Sequence, residues 1–258
     1  NLSISGSIKG GNYVGGVVGN KESGNIINVF NHANITGTSY VGGIAGRSAS
    51  GLIDIAYNVG NITATSNFAG GILGSLERGT VSNTYNRGEI LANYYAAGIV
   101  GGAYHTNVIT NSYSAAWISA NSTTQGVVVE MDPRYHTRTN LYYDVSILVN
   151  YDQKRTQKPQ ILNHAYGRTT TQLLYGGNDL LKLPNNIWHY EAKNGNEGYY
   201  PQLIQFSGSK IERLSSLSKA SVSYDVGDGL GTKDAPFIIR TKFDMDEVSR
   251  KVAAGNTF

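Results

Sequence analysis

Glycine and aliphatic positions in the first half of the chain recur with a fixed period. A small-Gly-aliphatic-aliphatic-Gly unit stands at Gly15-Gly16-Val17-Val18-Gly19, Gly42-Gly43-Ile44-Ala45-Gly46, Gly70-Gly71-Ile72-Leu73-Gly74 and Ala97-Gly98-Ile99-Val100-Gly101, at spacings of 27, 28 and 27 residues. The remainder of each unit follows in register. A loop glycine comes at Gly24, Gly51 and Gly79, with Asn107 in the fourth copy. An aliphatic residue follows at Ile26, Ile53, Val81 and Ile109, then an aromatic one at Phe30, Tyr57, Tyr85 and Tyr113. Asn31, Asn58, Asn86 and Ser114 sit beside the aromatics, and each copy closes on Ile35, Ile62, Ile90 or Ile118. A partial copy, "SGSIKGGN", precedes the first and places Ile8 at the closing position.

Inward-type aliphatics recur about every nine residues within a unit. Such stretches are too short for amphipathic helices of ordinary length. Each reads as a short strand ended by a glycine, asparagine or serine turn. Three strands and three turns per period predict one coil of a right-handed parallel β-solenoid, four to five coils in all. One coil cannot bury its apolar face alone; stacking buries it. Equivalent residues then lie ~4.8 Å apart. Val17, Ile44, Ile72 and Ile99 become an interior ladder, Phe30, Tyr57, Tyr85 and Tyr113 an aromatic stack, and Asn31, Asn58 and Asn86 an amide ladder at a corner. The paired glycines suit tight turns or close approach of a neighbouring coil. The competing reading, a phosphate cradle, needs a following helix with Lys-Ser/Thr, and none follows.

Composition agrees with a β-rich chain. Of 258 residues, 32 are glycine, and tyrosine (18) outnumbers phenylalanine (6). Charged residues make up 15% and net charge is +3, where about 25% charged is usual. Residues 1–129 hold five Lys/Arg and four Asp/Glu, which is no electrostatic footprint for nucleic acid. With no cysteine, disulfide frameworks and thiolate metal sites are excluded. No apolar run approaches the ~18 residues of a membrane-spanning helix. The chain opens inside a patterned stretch and stops at "AAGNTF", so both ends are expected to continue in a longer protein.

"YVGGIAGRSASGLIDIAYNVGNI" and "FAGGILGSLERGTVSNTYNRGEI" resemble the GLUG motif. That motif occurs in bacterial surface adhesins and in non-catalytic repeat regions of immunoglobulin A peptidases. The resemblance covers about residues 1–120; the fourth copy departs from it at Ala97 and at Ser114-Ala115-Ala116. "NLYYDVS", "TTTQLL" and "IWHYEAKNGNEGYYPQL" are similar to the tail of such modules. Residues 228–252, with Pro236, the run Phe237-Ile238-Ile239, the helix start Thr241–Asp244 and the face Met245, Val248 and Val252, resemble the opening of a fresh module. The resemblance implies a non-catalytic segment of a bacterial cell-surface adhesin, a stiff scaffold or stalk outside the cell that meets a host glycan or protein and further modules of the same protein. The alternative it implies is the repeat region of an immunoglobulin A peptidase-like surface enzyme; a carbohydrate-active β-helix is the other enzymatic reading.

The search for chemistry yields no catalytic, cofactor or metal residue. His32, His105, His136, His164 and His189 form no HExxH motif, which a zinc peptidase would need. His32 replaces Val59 and Arg87 in the repeat, as a solvated corner residue would. "GRSAS" at 46–50 fails as a nucleophile elbow. Glu22, Asp54, Glu77 and Glu89 do not align in the repeat register, where a glycosidase needs a facing carboxylate pair. Asp225, Asp228 and Asp234 lie among glycines, either a polar turn or a calcium loop without the EF-hand spacing. Trp188, Tyr190, Tyr199 and Tyr200 read either as a plug on the solenoid end or as a sugar-stacking platform. The expected organisation is a GLUG-repeat solenoid over 1–145, an irregular aromatic-rich closing segment over 146–206, and a small αβ cap or the start of a following module over 207–258.

Overall fold

Each repeat folds into one coil of a right-handed parallel β-solenoid of about five turns. The computed structural model describes residues 1–132, 136–147, 165–190 and 200–207. Sheet A holds Leu2–Ile4, Asn25–Asn31, Leu52–Asn58, Gly79–Asn86, Asn107–Ser114, His136–Asp144 and Ala165–Arg168. Sheet B holds Ser7–Lys9, Asn34–Gly37, Ile62–Ala64, Ile90–Ala92 and Ile118–Ala120. Sheet C holds Asn12–Gly15, Ser39–Gly42, Ala69–Gly70, Tyr95–Ala97 and Thr123–Gln125. Sheet D holds Val18–Lys21, Ala45–Ser48, Leu73–Leu76, Val100–Ala103 and Val128–Glu130.

A coil therefore has four strands, not the three that the spacing of aliphatics predicts. The extra corner separates sheets B and C. In the second coil it is the single residue Thr38, between Asn34–Gly37 and Ser39–Gly42. Gly10-Gly11 mark the same corner in the first coil and Gly37 precedes Thr38. The inward residues of the extra strand, however, go from Val14 and Val41 to Ala69 and Ala96, so the spacing of large aliphatics does not count it.

The register follows the repeat. Ile26 pairs with Ile53, Ile53 with Val81 and Val81 with Ile109. Ile8, Ile35, Ile62, Ile90 and Ile118 form a second row. The backbone N–H of Val17, Ile44 and Ile72 donates to the carbonyl of Ile44, Ile72 and Ile99. Ile35, Ile44, Ile62, Ile72, Ile90 and Ile99 are fully buried, each contributing roughly 1.5–3 kcal/mol of hydrophobic stabilisation.

The motif glycines are fixed by close approach. A Cβ on Gly43 would stand 2.6 Å from the Asn58 Cγ, and one on Gly16 3.0 Å from the Asn31 Oδ1. The second glycine of each unit thus makes room for the inward asparagine. The third glycine lets sheet D touch sheet C: a Cβ on Gly46 would lie 2.4 Å from the Tyr13 carbonyl carbon, and one on Gly74 2.4 Å from that of Tyr40.

Sheet A bends where Asn28, Ile55, Asn83, Asn111 and Asn140 adopt φ of 60, 49, 49, 49 and 53°. The pairing on either side puts these left-handed residues on successive rungs. Short polar Asn tolerates this region, whereas a β-branched residue is strained in it. In the fourth copy, Asn107 takes the loop glycine's place and the left-handed residue becomes His105, at φ 49°.

Beyond Asp144, the strand Ala165–Arg168 adds another rung to sheet A. A helix at Thr170–Tyr175 follows, closed by a capping box between Thr169 and Gln172. A short helix at Gly177–Leu180, a two-stranded ribbon of Trp188–His189 with Gln202–Leu203, and a turn of helix at Ile204–Ser207 complete the described residues. Asp225, Asp228, Asp234 and the rest of 208–258 lie outside the described residues.

Candidate functional surface

Two aromatic ladders climb the solenoid on different sheets. The first is the expected one on sheet A. Phe30, Tyr57, Tyr85 and Tyr113 stack with centroids 4.9, 4.8 and 5.2 Å apart and planes within 6° of parallel. The register carries the row on to Tyr142 and Tyr166.

A strap covers this first ladder. Phe206 stands edge-on to Phe30 and Tyr57, both at 5.1 Å, and Trp188 lies 6.0 and 5.7 Å from Tyr85 and Tyr113. Tyr200 stacks on Tyr113 at 6.0 Å, while Leu173, Leu174, Leu181, Leu183 and Leu203 complete a second apolar cluster. The strap runs back along the rungs, so Trp188 and Tyr200 seal the side of the solenoid and not its end.

Polar bonds fix the strap. The Tyr113 hydroxyl donates to the Pro201 carbonyl at 2.8 Å, and the Lys182 N–H donates to the Tyr142 hydroxyl at 3.0 Å. Buried Asp144 accepts from the Tyr200 hydroxyl at 2.6 Å, the Thr170 hydroxyl at 2.7 Å and the Ser146 N–H at 2.8 Å. Burial raises its pKa above the ordinary carboxylate range, and these bonds hold part of the rise back. Burial likewise raises the pKa of Tyr57, Tyr85, Tyr113 and Tyr200.

Beside the first ladder, Asn31, Asn58 and Asn86 form the expected amide ladder. Each Nδ2 donates to the next Oδ1, at 2.7 Å in both steps, and to the carbonyl two residues on. The row ends at Ser114 and then Tyr143.

The second ladder escapes a reading of the motif. Tyr13, Tyr40, Phe68 and Tyr95 stack at 5.1, 5.2 and 4.7 Å at the start of sheet C. The sequence signal is an aromatic two residues before each small-Gly pair, at Tyr13, Tyr40, Phe68 and Tyr95. Tyr13, Tyr40 and Phe68 are left-handed, with φ of 56, 57 and 35°. Among the described residues no strap covers this row, and Tyr13 is exposed, but Phe68 is buried with Tyr104 edge-on at 6.0 Å. Beside it runs a chain of ion pairs: Arg47 lies 3.2 Å from Glu22 and 3.5 Å from Glu77, and Glu77 lies 3.5 Å from His105. The mixture of aromatic edges, hydroxyls and paired charges makes this the candidate ligand-facing surface.

The described histidines do not meet. His32 lies against Phe30 and Tyr57, with burial lowering its pKa. His136 shares Glu130 with Arg138 at the far end of sheet D; His189 sits in the strap and His164 lies outside the described residues, as does Tyr199. Glu22 and Glu77 are joined through Arg47, but Asp54 accepts from Ser82 and Asn83 at 2.5 and 2.8 Å. Ser48 of "GRSAS" is buried and accepts from Lys21 at 3.1 Å. Among the described residues, no three His, Asp or Glu side chains gather as a metal site, and no helix is long and apolar enough to cross a membrane. No protein-family model, curated protein or solved structure matches the chain.

Proposed function

We propose that these coils are a non-catalytic scaffold segment of a bacterial cell-surface adhesin. The observation that carries the reading is the continuity of the stack. In each inner coil, backbone, glycines and inward side chains are committed to the coils above and below, which suits load-bearing more than catalysis. The GLUG resemblance supplies the adhesin and extracellular parts. The strap-free aromatic row, exposed at Tyr13 and half-buried at Tyr40, is, with Glu22, Arg47 and Glu77, the face offered to a host glycan or protein.

The test is binding of the recombinant chain to arrayed host glycans, mucin and matrix proteins. Binding that falls at least about tenfold in Tyr40→Ala and Arg47→Ala, a typical hot-spot loss, supports both role and face. Binding to none of these ligands reduces the segment to a spacer.

A further inference from the structure

The two ends of the solenoid differ. The far end is enclosed: Val127, Val128 and Leu141 of the last coil are almost wholly buried, and Arg138 pairs with Glu130 at 2.6 Å. The first coil has no such cover. Ile8, Val17, Val18 and Ile26 are only partly buried there, while Ile35, Ile44, Ala45 and Ile53 on the same rows are almost wholly enclosed. Leu2, Tyr13 and Ile27 are exposed at 45, 40 and 43%.

The glycines show what is missing. A Cβ on Gly51 would lie 2.0 Å from the Gly24 carbonyl oxygen, and one on Gly79 2.3 Å from that of Gly51. A Cβ on Gly24, at the same place in the first coil, would meet nothing within 4 Å. The backbone repeats the pattern. The N–H groups of His32, Thr38 and Ala49 donate to the first coil's Ile4, Gly11 and Lys21 carbonyls. Their counterparts, Ser5, Gly11 and Glu22, face the open edge. Lys21 does not block it, because its ammonium reaches to Ser48 and Ser50 in the second coil.

We propose that the first coil is a docking edge for a further parallel coil of this same repeat, supplied by polypeptide outside these 258 residues. The stacking interface already built between coils simply continues across it, by strand addition. The open places require a carbonyl over Gly24, aliphatics over Ile8, Val17 and Ile26, and an aromatic ring over Tyr13. A second copy cannot supply them in parallel register: its far end is sealed, and its own first coil would arrive antiparallel. The inference depends on the scaffold role proposed for the coils and not on any ligand.

The experiment fuses a copy of Asn28–Asp54, 27 residues in phase with the repeat, directly before Asn1. The control carries I35D and I44D within the copy. Docking raises the melting temperature by roughly 5 °C or more over the control. It also slows amide exchange at Ser5, Gly11 and Glu22 by about tenfold or more. Equal melting and exchange in fusion and control overturn the proposal. So does light scattering that finds the parent chain dimeric with these amides already protected, since the occupant would then be a second copy.

Discussion

Gly71 lies directly against the buried amide of Asn86: a Cβ on Gly71 would stand 2.3 Å from the Asn86 Cγ and 2.2 Å from the Gly98 carbonyl oxygen. Both neighbours are held by the stack and cannot yield. Gly71→Ala is expected to cost about 3 kcal/mol or more, whereas Gly11→Ala, facing open space, stays within about 1 kcal/mol. Chemical denaturation midpoints of the two variants check this.

Asn58 occupies the middle of the amide ladder, bonded to Asn31 and Asn86 and to both backbone groups of Gly60. Asn58→Ala leaves buried donors and acceptors unpaired and is expected to cost about 3 kcal/mol. Asn31→Ala loses one ladder bond instead of two and costs less. A reversed order in equilibrium unfolding would contradict the ladder.

Ile55 is the β-branched exception on a rung position otherwise held by asparagine. Left-handed backbone costs such a residue about 1–2 kcal/mol, while its side chain is only partly buried. Ile55→Asn is expected to raise stability by about 0.5–1 kcal/mol, read as a higher melting temperature.

Tyr57, Tyr85, Tyr113 and Tyr200 have folded-state pKa values above the ordinary 10 because burial opposes the phenolate. The unfolded chain therefore loses these protons first as pH rises. Their stabilisation is complete below pH ~10 and is lost above it. Absorbance at the phenolate band should show these rings ionising in one steep step, together with loss of the β signal in circular dichroism.

Asp144 joins the last full rung of sheet A to Thr170 and Tyr200. Asp144→Ala is expected to loosen the strap, at a cost of about 2–4 kcal/mol, and to shift Trp188 emission to the red. Asp144→Asn keeps the shape and an acceptor for the Ser146 N–H, removes the buried charge, and should cost less than half as much. Equal losses would place the strength of the joint in the charge.

The coil register was legible because glycine, aromatic and asparagine positions are each dictated by a neighbour one period away. Ile53 against Val81 and Asn58 against Asn86 needed only the spacing. The second ladder was open to the same argument, since Tyr13, Tyr40, Phe68 and Tyr95 recur at one place in the unit, but they stand ahead of the small-Gly pair from which the copies are aligned. The fourth strand was hidden because its inward residues go from Val14 and Val41 to Ala69 and Ala96, which drops it out of the spacing of large aliphatics. The strap's course was not legible at all: Phe206 meets Phe30 across most of the chain, and no periodicity in residues 165–207 encodes that partner.

The strap also acts as a ruler. Phe206 fits the Phe30 and Tyr57 rungs while Trp188 fits those of Tyr85 and Tyr113. Gaining or losing a coil between these rungs would move one anchor a full repeat away from its seat. Repeat proteins commonly grow and shrink by whole units, but here such drift is penalised under the strap and tolerated only above Phe30. The length of this part of the rod is measured by the molecule itself.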